Sequence, residues 1–432
     1  MKNPSKKIQQ NKANKKIKTI MHDEGIFRAG IIFLIFSGFT SILNYLYHLF
    51  MGRMLGPEEY GILGSLFAII YLVDFSTGTF NLVISKHVAE FHGKKQKEKI
   101  KSLFSKAFKV IMVYGLAGFL MFLAISPLIK NFMNLQSYSG LIIVGLIACF
   151  SFISVLFTGT LNGLQKFVWQ NSSSTVSKAL KFTLAIILVF IGFSINGALT
   201  AILIGIIISL FIAYIPIKKE FKDVKPKDFN AKSIYLYAIP VFFATMFSVL
   251  VITFDQILVK HYFSSADAGI YAAAGMIGKM IWFGSSALVG PLFPKIVNLK
   301  SKGKDTSKML IKALAYTATL ATLGSIVFAI APTFIMNISY GSQYSAAVPL
   351  VLMFGIAMGL FSLIQVLMVY NLGIGNYKFI YVFAAAVILE IIGIVMFHSN
   401  LQEVVKILLI TNIFIVINML ILNRDDLLNH IK

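Results

Sequence analysis

The sequence predicts an all-α integral membrane protein. Twelve transmembrane helices are expected, in two six-helix lobes related by a pseudo-two-fold axis along the membrane normal and forming a V around a central cavity. Three observations carry this: composition, the alternation of basic connections, and an internal repeat. Of 432 residues, 57% are hydrophobic and only 13% are charged, and the mean hydropathy is +0.81. A soluble enzyme of this length would need about twice that share of charges on its surface. Phe at 39, Pro at 10 and the lack of a heptad register also exclude collagen, coiled coil and disorder.

Apolar runs fall at 27–51, 60–84, 107–129, 140–163, 176–193, 196–217, 233–257, 268–292, 310–336, 346–371, 378–397 and 403–422. Each is close to the ~20 residues that cross a bilayer. Of 39 Lys+Arg, 34 lie on alternate connections, four on the others, and Lys279 lies inside a run. The positive-inside rule then places both termini in the cytoplasm of a multi-pass plasma-membrane protein. The expected organisation is a basic cytoplasmic tail (1–26), an N-lobe (27–217), a cytoplasmic linker (218–232), a C-lobe (233–422) and a short tail (423–432). No cleaved signal peptide is expected.

The net charge of +22 sits in loops and tail, where it enforces topology, so no nucleic-acid partner is expected. Cys149 is alone, which leaves no intramolecular disulfide. No metal-ligand spacing, cofactor motif, P-loop or catalytic dyad is present, and no enzyme activity is expected. Uphill transport would draw on an ion gradient, the membrane potential or a downstream pull on product.

Superposed on itself at an offset near 208, the chain matches in three equivalent loops. "MGRMLGPEEYGIL" (51–63) falls on "VKHYFSSADAGIY" (259–271), aligning Gly61 with Gly269. "AISP" (124–127) meets "AIAP" (329–332), and "NGLQKF" (162–167) meets "IGNYKF" (374–379). Six helices per repeat is even, so the two lobes share one orientation.

Polar groups inside the runs are the functional signal, since each is costly in hydrocarbon. Ser37, Ser41, Asn44 and His48 form one helical stripe, and Asp74, Thr77, Asn81 and Ser85 form another. Lys279, Trp282 and Ser286 share a face, and Thr245 and Gln256 take the repeat positions of Ser37 and His48. These stripes predict a wet cavity shared by four helices. Lys279 is too deep to snorkel, so it faces water or pairs with an acid, with Asp74 the obvious partner. It is read either as half of that pair or as a cation for substrate. Trp282 either stacks on a sugar or packs. Arg28 either snorkels or admits an anionic head, and Asp255 is read as interfacial or ion-coupling. Glu390 has no evident partner. Pro240 predicts a bend in the run 233–257.

At "GRMLGPEEYGIL" (52–63) the sequence resembles the oligosaccharide flippases, or polysaccharide-biosynthesis membrane proteins, of the multidrug/oligosaccharidyl-lipid/polysaccharide exporter superfamily. The turn motif comprises Gly52, Arg53, Gly56, Pro57, Tyr60 and Gly61, and Arg53 is expected to be structural. The resemblance implies alternating-access movement of a polyprenyl-diphosphate-linked oligosaccharide from inner to outer leaflet. A cationic cavity would take the headgroup, with membrane lipids around it, H+ or Na+ as coupling ion and a monomer as the functional unit. Only Arg28, Arg53 and Arg424 supply arginine, so the Arg-lined cavity of some members is absent. The alternative is a cation-coupled multidrug exporter of the same superfamily.

Overall fold

A computed structural model describes residues 4–227, 232–289 and 292–428 of the chain. The molecule is nearly all helix. The order is α1 (Pro4–Gly93), α2 (Lys97–Phe132), α3 (Ser139–Gly163), α4 (Phe167–Leu188), α5 (Ser194–Glu220), α6 (Lys232–Leu250), α7 (Phe254–Tyr262), α8 (Ser265–Val289), α9 (Leu292–Ser301), α10 (Ser307–Ile330), α11 (Pro332–Ser339), α12 (Val348–Ile374), α13 (Phe379–Met396), α14 (Leu401–Leu422) and α15 (Arg424–Leu428). Among the described residues, nine helical stretches are long and apolar enough to cross a membrane. Two of them, Gly38–Gly93 and Phe167–Glu220, run to 56 and 54 residues, about twice a single crossing. Glycines divide both.

In α1 the division is at Gly56, with φ 72° and ψ 174°, a backbone state that a Cβ would strain. Pro57 follows, where a missing N–H is harmless because a new helix has no partner for it. The two arms of α1 therefore fold back on each other. Between α4 and α5 a single π turn (Val189–Phe193) carries Gly192 at φ 100°. The Gly56 turn marks one end of the bundle, the turn end; the Lys-rich connections mark the other, the basic end.

Two runs differ from expectation. The run placed at 176–193 begins at Phe167, because α4 opens with the polar stretch "NSSSTVSKALK" (171–181), which no apolar window registers. The run 233–257 is helical from Lys232 to Leu250, Pro240 included, and breaks at 251–253, before α7. At the break the Val249 carbonyl accepts from the Thr253 hydroxyl at 2.6 Å as well as from the Ile252 amide at 3.1 Å. The side chains of Pro240, Ser37 and Ser286 lie outside the described residues.

Polar clamps tie each half at the basic end. Lys97 and Lys166 each contact Glu220 at 2.7 Å, and the Lys101 ammonium donates to the carbonyls of Phe221 at 3.2 Å and Val224 at 2.7 Å. In the second half, the Lys300 ammonium donates to the Ile374 carbonyl at 2.7 Å.

The halves meet at the turn end. A Cβ built on Gly61 would lie 1.9 Å from the Ser265 carbonyl oxygen, and one on Gly269 would lie 1.8 Å from that of Pro57. The two glycines aligned by the internal repeat thus pack backbone against backbone, α1 against α8. Gly52 lies under the Tyr340 ring, 2.4 Å from where its Cβ would be. Tyr60, Tyr340 and Tyr344 form a buried aromatic cluster with centroids 5.2–6.2 Å apart, and the Tyr60 and Tyr340 hydroxyls are 3.1 Å apart. Arg53 donates to the carbonyls of Ser339 at 2.8 Å, Ile338 at 2.5 Å and Asn337 at 3.4 Å. Those are the last acceptors of α11, and a guanidinium suits a helix C-terminus both as donor and as charge. In return Tyr344 donates to the Gly52 carbonyl at 2.8 Å and Gln343 to that of Arg53 at 3.2 Å. Nearer the middle, Thr79 and Thr245 join the halves at 3.1 Å.

Arg53→Ala is expected to weaken this closure by about 1–2 kcal/mol and to lower the melting temperature of the purified protein. Arg53→Lys should recover less than half of the loss, because one ammonium cannot fork across three carbonyls. A wild-type melting temperature for Arg53→Ala would show that the clamp contributes nothing.

Candidate functional site

Beneath the turn-end closure, a cavity lies between the halves. Water centres can occupy about 50 Å³ of it, space for a few molecules. The arms of α1 supply His48, Tyr60, Phe67 and Tyr71; α7 supplies Asp255 and Gln256; α8 supplies Tyr271 and Lys279. His48 is buried and bridges two tyrosines, with Nδ1 3.4 Å from the Tyr60 hydroxyl and Nε2 3.3 Å from that of Tyr71. Asp255 is buried; it accepts from the Tyr271 hydroxyl at 2.6 Å and the Gln256 amide at 2.8 Å. Of the interfacial and ion-coupling readings, its place in the cavity wall fits the second, since α7 carries the chain beyond the run 233–257 to Tyr262. Gln256 spends its side-chain amide on the Ala268 carbonyl at 3.1 Å.

Lys279 extends into this cavity with Nζ 5.6 Å from the centre of the Tyr71 ring. No ion pair holds it among the described residues, and Asp255 is the carboxylate whose field it feels. An ammonium beside one aromatic ring and one acid retains unused donors.

The expected Asp74–Lys279 pair is not formed. The two residues line different cavities. Asp74 faces one inside the first half, where Lys178 and Lys181 are its charged neighbours. Asn44 is there too, accepting from the Lys181 ammonium at 2.8 Å. The two cavities share the walls Phe67 and Tyr71. Asn81 lines neither; it donates to the Thr158 hydroxyl at 3.0 Å and clamps α1 to α3. Trp282 packs on Phe283 and Phe361, centroids 5.0 and 5.4 Å away. The Arg28 side chain lies outside the described residues. Glu390 is buried on α13, and neither carboxyl oxygen has a hydrogen-bond partner in the protein; Asp255 is its charged neighbour.

Sequence reading missed Lys178 and Lys181, counting both among the basic connections. Lys181 is buried and lies about 21 Å along α4 from its start, at 1.5 Å per residue. The available signal was helical spacing: Ser173, Ser174, Ser177, Lys178 and Lys181 fall on one face.

The model of the "Polysaccharide biosynthesis protein" family matches residues 27–300. The chain belongs to that family. A relative, an uncharacterized membrane protein of Methanocaldococcus jannaschii, is 27% identical over 297 residues, covering 64% of this chain and 68% of the relative. Among solved structures, the inward-facing conformation of a multidrug resistance transporter of the MATE family, from the MOP superfamily, matches with a TM-score of 0.73 at 13% identity. It covers 90% of this chain and 94% of the transporter. The lipid II flippase MurJ, in an inward closed conformation, matches with a TM-score of 0.66 at 17% identity, over 92% of this chain and 89% of the flippase. This polysaccharide biosynthesis protein is a multi-pass membrane protein with the fold of MOP superfamily transporters.

Proposed function

We propose that this chain is a flippase that carries a lipid-diphosphate-linked oligosaccharide from the inner to the outer leaflet by alternating access. The observation that carries the reading is Lys279: a deep ammonium, free of any ion pair among the described residues, in a cavity between the two halves. A diphosphate needs cations with open donors, and charge-assisted hydrogen bonds are the strong ones. The aromatic walls exclude competing water, which strengthens them further.

In this reading the bundle comprises twelve spans in two six-helix lobes related by an axis along the membrane normal, joined by the linker 218–232. The basic end is cytoplasmic and carries both termini, and the turn end faces outward. The contacts described at Gly61, Gly269, Arg53 and the tyrosine cluster then close the outer gate. The lipid tail stays in the bilayer while the head crosses. Glu390, with its neighbour Asp255, is where a coupling H+ or Na+ acts, since the unpartnered buried Glu390 carboxyl must carry a proton or a cation. The protein works as a monomer.

The test is reconstitution into vesicles with a polyprenyl-diphosphate-linked glycan, followed by an impermeant reagent that reads the outer leaflet. The expected result is protein-dependent appearance of the glycan on the far side. Absence of movement, together with gradient-driven export of a cationic dye, would replace this reading with a multidrug exporter.

A further inference from the structure

The cavity inside the first half is larger than the one between the halves. Water centres can occupy about 200 Å³ of it, against about 50 Å³ between the halves. α1, α3, α4 and α5 all contribute to its wall. The charges are Lys178, Lys181 and Asp74, an excess of one cation.

Two features of the wall specify a ligand chemistry. The first is the distribution of hydrogen-bonding capacity. Thr77, Ser173 and Ser209 donate their hydroxyl protons back to carbonyls of their own helices, at 2.5, 2.9 and 2.7 Å. Their remaining capacity toward the cavity is as acceptors. These acceptors, beside the hydroxyls of Ser151, Ser154 and Ser177 on the same wall, match a molecule rich in O–H groups. The second is the pair of ammoniums. Lys181 is nine-tenths buried, held by Asn44 and set 4.0 Å from the centre of the Tyr47 ring. One turn away, Lys178 is solvent-exposed on the same cavity, and no hydrogen bond or ion pair to a described residue occupies it. That ammonium has three donors open to an oxyanion.

We propose that this cavity is a second ligand site, for an anionic sugar: a polyhydroxyl ring bearing a carboxylate or phosphate. The oxyanion sits on Lys178 and Lys181, and the ring hydroxyls donate to the serine and threonine oxygens. Phe67 and Tyr71, the shared walls, separate this site from Lys279, so one acidic residue of a glycan can be held here while a diphosphate is held there. Arrival of the ligand as part of a lipid-linked glycan rests on the proposed function; binding does not.

The test is calorimetric titration of the purified full-length protein with glucuronate, glucose 1-phosphate, glucose and inorganic phosphate. Both acidic sugars should bind, at least tenfold more tightly than glucose or phosphate. Lys178→Gln should weaken them at least tenfold, whereas Lys406→Gln, at an exposed cation that lines neither cavity, should leave their affinity within twofold. Should Lys178→Gln not fold, Ser154→Leu, which fills the cavity, should abolish binding in its place. The proposal fails if neither acidic sugar binds, if inorganic phosphate binds as tightly as glucose 1-phosphate, or if the cavity variants leave affinity unchanged. Binding that persists in a protein unable to move lipid-linked glycan would strike the proposed function alone.

Discussion

Gly269→Val is expected to drive the turn end open. Its helix lies so close to the turn after Gly56 that even a Cβ would meet the Pro57 carbonyl oxygen at 1.8 Å. Backbone cannot rotate out of the way as a flexible side chain can, so α8 and α1 must separate. Overpacking of this kind costs about 2 kcal/mol or more, which is a ~30-fold shift from closed to open. The substitution faces the contact between halves, so each half should insert normally. Spin labels at Glu58 and Ser264 would report the separation as a longer and broader distance distribution, and Gly61→Val should reproduce it from the other side. An unchanged distribution in a well-folded variant would show that this contact is not part of a gate. A protein held open here should also translocate poorly, because alternating access requires both states.

The second large effect is at Lys279. Lys279→Ala is expected to reduce translocation of a diphosphate-linked glycan by about tenfold to a hundredfold, the equivalent of one to two charge-assisted hydrogen bonds. Insertion and thermal stability should change little, since no ion pair among the described residues is left broken. That separates Lys279 from Asp255, whose removal would strand the Tyr271 hydroxyl that donates to it at 2.6 Å. Lys279→Arg keeps the charge and should retain part of the rate. Full activity in Lys279→Ala would remove the observation on which the proposed function rests.

Sequence and structure agree where one-dimensional signals suffice. Apolar runs marked the helices because each span must satisfy its own backbone in hydrocarbon. Gly56 and Pro57 marked the first turn because few residue types tolerate that geometry. Misreadings clustered where polar function interrupts a span. Lys178, Lys181 and the serines of α4 lowered the apolar signal, so a helix that begins at Phe167 read as a connection. Asp255 read as interfacial or ion-coupling because it falls near the end of the apolar run 233–257, whereas α7 carries the chain on to Tyr262.

The sequence by itself determined that the chain is a helical membrane protein, that its glycine turn carries structure, and that Lys279 lies too deep to be incidental. Which charges share a cavity was decided by tertiary structure alone. Pairing Asp74 with Lys279 was reasonable from depth and sign, yet depth fixes only one coordinate. The rotation of each helix about its axis fixes the others, and that rotation is set by packing between helices, such as the Gly61–Gly269 approach. It turns Asp74 toward α4 and Lys279 toward Asp255.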